Sequence, residues 1–162
     1  MKLSMKERYA IMAMIDLAIH ESHGLVTLAE ISKGQGISVS YLEQLFAKLR
    51  RSGLVKGVRG PGGGYRLAKP AGEISVADII LAVDERVETM QCEGKGDCQG
   101  GEACLAHELW FNLSRQIYDY LDSIKLAEFL SRPSVQDVAG RIEPGAIPEQ
   151  SVRMVDSTET PN

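Results

Sequence analysis

All three cysteines of this 162-residue chain, and one of its three histidines, fall within Cys92-Glu-Gly-Lys-Gly-Asp-Cys98-Gln-Gly-Gly-Glu-Ala-Cys104-Leu-Ala-His107. That clustering constrains the fold more than any other feature. A segment made mostly of Gly, Glu, Asp, Gln and Lys has little apolar surface to bury, so its cysteines are placed there to bind rather than to pack. An odd number of cysteines also argues against a disulfide framework. Three thiolates and an imidazole match a tetrahedral zinc or an iron-sulfur cluster, and Gly94, Gly96, Gly100 and Gly101 let the backbone bend around a metal. Structural zinc sites usually use a tight C-x2-4-C knuckle, whereas the spacing here is C-x5-C-x5-C-x2-H, and such wide glycine loops favour a polynuclear guest. Iron-sulfur clusters are normally held by four cysteines, with histidine standing in at Rieske centres. Cys92, Cys98, Cys104 and His107 therefore close a 2Fe-2S cluster with one atypical ligand. Cys104 and His107, at i and i+3 of an expected helix start, would face the same metal.

The length suits one domain of ordinary size, or a small domain with an arm and a tail. The composition is that of a soluble globular protein, with no secretory signal at Met1–His20 and no apolar run fit to span a membrane. Clustered thiols without a signal peptide place the chain in a reducing cytoplasm. The net charge of −4 hides an asymmetry: residues 1–70 carry eleven Lys and Arg against five Asp and Glu, and residues 71–162 carry seven against seventeen. The positive first half is the expected binder of a polyanion such as double-stranded DNA.

Ser4 to Glu7 reads as a capping box opening a helix to about Glu21, with Ile11, Met14, Ile15 and Ala18 on the buried face; His20 and His23 read as solvated residues at its end. Thr27 to Glu30 is a second box, for a short helix to about Lys33, followed by a turn at Gly34-Gln-Gly36. Ser38 then caps a helix over Val39 to about Ser52, with Leu42, Leu45, Phe46 and Leu49 inside. Two short helices joined by a glycine turn make a helix-turn-helix candidate. The third helix leaves Ser40, Tyr41, Glu43, Gln44, Lys48, Arg50 and Arg51 outside its apolar stripe, side chains able to reach base edges or phosphates. Strands over Leu54–Arg59 and Tyr65–Leu67, joined by Gly60-Pro-Gly-Gly-Gly64, form a hairpin that reads as a wing, with Arg59 and Arg66 at its base. No Gly-Lys-Ser/Thr ends that glycine loop, which disfavours nucleotide binding.

Ser75 caps a helix carrying Val76, Ile79, Ile80 and Val83. After the cysteine loop, a helix from Cys104 to about Ser123 carries Leu105, Leu109, Leu113, Ile117, Tyr120 and Ile124 along one seam. So long an apolar face needs a cover, and the same helix of a second copy, or the helix of residues 5–21, would provide it. Lys125–Leu130 adds a last turn, and residues 132–162 read as a disordered tail. The expected architecture is therefore mainly α with a small β wing. A winged helix-turn-helix domain over 1–84 leads to a cluster-binding loop over 85–107, then to a long C-terminal dimerisation helix and a short helix over 104–131. No set of nucleophile, base and oxyanion donor suggests an enzyme.

The helix pair, the Arg59-to-Tyr65 wing, the stretch Gln35-Gly-Ile-Ser-Val-Ser-Tyr-Leu-Glu-Gln-Leu-Phe46 and the Cys92, Cys98, Cys104, His107 set together resemble the IscR-type iron-sulfur cluster regulators. The likeness runs from Met1 to about Gly140 and leaves the tail out. It implies a homodimeric winged-helix regulator on a palindromic operator, holding a 2Fe-2S cluster received from the iron-sulfur assembly machinery and controlling iron-sulfur assembly genes. It further implies that Ser40, Glu43 and Gln44 read bases, that Tyr41 supports them, that Arg59 enters the minor groove, and that Ser38 and Arg50 belong to the same DNA-contacting set. Within the same fold the alternative is a nitric-oxide or general redox sensor, which the ligand spacing and His107 disfavour. An iron-sulfur carrier would leave the positive first half and the wing unexplained, and a zinc-stabilised module would differ in metal content.

Overall fold

The computed structural model describes residues 4–84, 95–97 and 100–141. The chain opens with helix α1 (Met5–His20) and a 3-10 turn over Glu21–His23. Helices α2 (Leu28–Gln35) and α3 (Val39–Arg51) follow, then strands β1 (Val55–Val58) and β2 (Gly64–Leu67), and helix α4 (Val76–Val83). Helices α5 (His107–Ser123), α6 (Leu126–Leu130) and α7 (Pro133–Arg141) complete the described chain. The expected mainly α fold with a small β wing is what forms.

Helix α1 is the axis of the core. Its buried face is Ala10, Ala13, Met14 and Leu17, shifted from the expected Ile11, Met14, Ile15 and Ala18. Ile11, Ile15 and Ala18 lie at the partly buried edge of the same cluster. The Ser4 capping box does not form: the Ser4 hydroxyl donates to the Glu7 carboxylate at 2.6 Å and accepts no backbone amide. The box at Thr27 does form, with Thr27 Oγ1 accepting from the Glu30 amide and the Glu30 carboxylate accepting from the Thr27 amide at 2.6 Å. The Thr27 amide, and the Thr27 hydroxyl donating at 2.9 Å, stabilise the charged carboxylate and hold Glu30 below the usual glutamate range.

The turn before α3 comes later than expected. Gly34 continues α2, and the break falls at Gly36, whose φ of 67° is left-handed and suits glycine at a helix C-cap. Ser38 caps α3, its Oγ accepting from the Tyr41 amide at 3.3 Å. Leu42, Leu45, Phe46 and Leu49 are buried, as their spacing predicts. The hairpin pairs Val55 with Leu67, Lys56 with Arg66, Gly57 with Tyr65 and Val58 with Gly64. Its tip needs glycine, since a Cβ at Gly63 would sit 2.3 Å from the Val58 carbonyl oxygen.

Three contacts fix the wing. Val26 and Tyr65 exchange backbone bonds at 3.0 and 2.7 Å, the Leu67 amide donates to Glu21 Oε2 at 2.8 Å, and the Tyr65 ring meets Phe46 edge-on at 4.8 Å. The last of these, worth about 0.5–1.5 kcal/mol beyond area burial, locks the wing to the middle of α3.

The end of α5 is stitched to the start of α4. The Val76 amide donates to the Ile124 carbonyl at 3.0 Å and the Leu126 amide to the Ile74 carbonyl at 2.8 Å. Ser75, fully buried, accepts from the Asp78 amide and donates to Asp122 Oδ1 at 2.8 Å. Leu126 closes the core from below. The tail expected to be disordered from residue 132 instead begins with α7, Pro133 taking the first helical position, where its missing N–H costs nothing. Residues beyond 141 lie outside the described ones.

Candidate nucleic-acid interface and metal loop

Helix α3 presents its polar face as the sequence predicts. Ser38, Ser40, Glu43, Gln44 and Arg50 are exposed. Tyr41 is half-buried, its ring edge-on to Tyr9 at 5.8 Å, so it braces the helix from inside. Lys48 departs from expectation: it is not a free cation on this face, because its Nζ donates to the Val83 carbonyl at 3.0 Å. Arg50 and Arg59 come together from different elements. They line one cleft of about 220 Å³ with Thr27, Leu28, Gly57, Val58, Gly64 and Tyr65, where α2, the end of α3 and the wing meet.

From Ser38 to Lys69 the chain holds seven Lys and Arg and one acidic residue, Glu43. This strip therefore attracts a phosphate backbone while carrying a single carboxylate on its most exposed helix face.

Several residues that shape this surface carry no sequence signal strong enough to find them. Asp16 is 5% exposed and accepts from the Gln35 side-chain amide nitrogen at 2.6 Å, tying α1 to the last residue of α2. His20, expected to be solvated, lies with Nδ1 3.0 Å from Asp16 Oδ1. His23 is exposed, as expected.

Of the four candidate metal ligands, Cys92 and Cys98 lie outside the described residues. Cys104 and His107 are described, and they differ from expectation in one respect: α5 starts at His107, so Cys104 precedes the helix. The two are joined by a turn, the His107 amide donating to the Cys104 carbonyl at 3.0 Å. Cys104 forms no disulfide and is partly exposed. The His107 ring stacks at 18° on Phe111, 6.5 Å away. The backbone of Gly96 also comes near the ring: a Cβ there would stand 4.0 Å from Nε2, and Gly96 has a φ of 76°. Among the described residues no three His, Cys, Asp or Glu side chains converge as a metal site. The donor set nonetheless fits a soft metal centre, since a free thiol and an imidazole share one turn and the backbone of Gly96 approaches that imidazole.

Helix α5 buries none of its residues. Leu109 is 64% exposed, and Trp110, Phe111, Leu113, Tyr118 and Tyr120 are exposed beside it. None of the described helices is long and apolar enough to cross a membrane.

The chain is similar to proteins of known kind over nearly all its length. Residues 3–132 match the Rrf2 family, described as iron-dependent transcriptional regulators. The HTH-type transcriptional regulator IscR of Photorhabdus laumondii is 56% identical over 141 residues, 87% of this chain and 86% of that protein. That of Salmonella agona is 50% identical over 159 residues, 98% of this chain and 97% of the relative. The second match extends the likeness into the tail, beyond the limit near Gly140 expected from the sequence. Among solved structures, T. potens IscR is 39% identical with a TM-score of 0.66, covering 80% of this chain and 86% of the other. CymR, the global cysteine regulator of B. subtilis, is 33% identical with a TM-score of 0.70, covering 81% and 97%. These relatives are named as regulators and not as enzymes. The chain is a winged-helix DNA-binding transcription regulator and belongs to the Rrf2 family of iron-dependent transcriptional regulators.

Proposed function

We propose that this regulator senses iron-sulfur status through a 2Fe-2S cluster held by Cys92, Cys98, Cys104 and His107, and that occupancy of that site sets operator choice and repression of iron-sulfur assembly genes. The observation that carries the reading is the Cys104–His107 turn facing Gly96 at the head of α5, a helix stitched at its other end to the DNA-binding domain. The family's iron dependence and the likeness to the IscR regulators support the same chemistry. When bound, the group supplies a tie between four ligands that oxidation or iron shortage can undo. Imidazole is a weaker and protonatable ligand compared with thiolate, so His107 keeps that tie labile, which suits a sensor.

On the DNA side, Ser40, Glu43 and Gln44 read base edges in the major groove, with Ser38 holding the helix start. Tyr41 braces the helix, Arg50 grips phosphate, and Arg59 reaches the minor groove from the wing. Two copies joined through the exposed apolar face of α5 would present two α3 helices to a palindromic operator. The iron-sulfur assembly machinery is the natural donor of the cluster, and the cytoplasm is the compartment whose reducing conditions preserve the thiols.

The test is anaerobic purification followed by visible absorption and analysis for iron, sulfide and zinc. Red-brown protein with about two irons and two sulfides per chain is expected. Colourless protein with stoichiometric zinc would overturn the sensing mechanism and leave a DNA-binding regulator with a structural metal.

A further inference from the structure

The cationic side chains of α3 differ in their use. Arg50 and Arg51 are exposed, whereas Lys48 is half-buried and reaches across to α4, where its Nζ donates to the Val83 carbonyl at 3.0 Å. Val83 is the last residue of α4. Its carbonyl is among those left without an intrahelical partner at a helix end, where the negative end of the helix dipole also lies, so an ammonium is doubly favoured there. Asp84 follows as the C-cap, its amide bonded to the Ile80 carbonyl at 2.9 Å, and the chain then enters the segment that carries Cys92. Lys48 lies one turn along α3 from Gln44, on the helix whose exposed face holds Glu43 and Gln44. A single side chain thus joins the base-reading helix to the point where the cysteine loop departs.

We propose that Lys48 is a positioning residue, a strut that carries the state of the cysteine loop to the recognition helix, rather than a phosphate contact. This rests on the reading that the loop is the sensor. The strut acts through geometry: a change in tension on Asp84 moves the Val83 carbonyl, and Lys48 follows it and turns α3, carrying along the wing that the Phe46–Tyr65 contact locks to it.

The test compares wild type with Lys48→Met, which keeps the apolar stem and loses the donor, and with Lys48→Arg, which restores a donor. Affinity is measured for a DNA duplex selected by the wild-type protein from a random pool, over a range of salt, for metal-free and metal-loaded full-length protein. Amide hydrogen exchange at Asp84 is followed in the metal-free protein. We expect Lys48→Met to narrow the loaded-to-free affinity ratio by about fivefold or more, the lower end of ordinary allosteric coupling, and to speed exchange at Asp84. We expect it to leave the salt slope unchanged, and Lys48→Arg to recover the ratio. A salt slope reduced by about one in Lys48→Met would identify a phosphate contact and overturn the strut. So would a ratio equal to that of a wild type that does respond to loading. A wild type whose affinity ignores loading would instead overturn the sensing reading, and the strut's role with it.

Discussion

Ser75 offers a sharp test of how the long helix is held to the DNA-binding domain. Its hydroxyl makes two bonds, accepting from the Asp78 amide at 3.0 Å and donating to Asp122 Oδ1 at 2.8 Å, and the residue is fully buried. Ser75→Ala removes both. Loss of an N-cap costs about 1 kcal/mol. A hydrogen bond to a carboxylate costs about 1.5–3 kcal/mol, but Asp122 keeps 48% of its side chain exposed, so water screens it and about 1 kcal/mol is the appropriate figure. The sum, about 2 kcal/mol, corresponds to a fall in Tm of about 4–8 °C for a chain of this size. Thermal and urea unfolding followed by circular dichroism, at one fixed protein concentration, measures it. Asp122→Ala alone should lose the second bond and its 3.9 Å exposed pair with Lys125, which is worth little, and the double variant should cost about 1 kcal/mol less than the two singles added. Additivity within about 0.3 kcal/mol would refute the bond as the tie between α4 and α5. The backbone pairs Val76–Ile124 and Leu126–Ile74 would then hold that junction alone.

Replacing Glu43 or Gln44 with Ala should change base preference by about 1–3 kcal/mol in selection from random DNA, and unchanged preference would mean that α3 does not read bases. Arg59→Ala should weaken binding to all sequences and lower the salt slope by about one, measured by titration at several salt concentrations. Because Thr27 holds the Glu30 carboxyl below its ordinary value of 4.5, Glu30 contributes stability that is complete above that value and is lost as pH falls through its folded-state value. Wild type should therefore melt higher than Glu30→Gln at neutral pH, and the gap should close only in acid below that value. Leu109→Glu with Leu113→Glu should yield monomers by sedimentation with unchanged circular dichroism, since no residue of α5 is buried within the chain. His107→Cys should slow loss of the bound iron to a chelator; equal rates would contradict the view that imidazole keeps the site labile.

The elements that were legible in the sequence are those whose cause is local. Leu42, Leu45, Phe46 and Leu49 set the inner face of α3 by spacing alone, and Ser38, Thr27 and Ser75 marked helix starts because a capping oxygen acts on amides within one turn. The exposed face carrying Ser40, Glu43, Gln44 and Arg50 followed by subtraction. Ser4, with the same capping signature, donates to Glu7 but accepts no amide, so the signature alone does not decide whether a cap forms. The start of α5 was placed three residues early, because the Cys104–His107 turn has helical spacing without yet being helix.

What the sequence determined by itself is the inventory: a helix pair with an exposed polar face, a glycine-tipped wing, four candidate soft ligands and one long apolar seam. Short-range periodicity and capping chemistry suffice for the helices and the seam, since residues within a turn of one another decide them, whereas the cysteines and His107 stand out by their clustering within sixteen residues. The tertiary structure decided what those parts are joined to. Asp16 binding Gln35 across nineteen positions, Lys48 reaching Val83 across thirty-five and Ser75 meeting Asp122 across forty-seven depend on which helix ends the core brings together. The interior excludes water from polar groups, and each must find its partner wherever packing has placed one, regardless of distance along the chain.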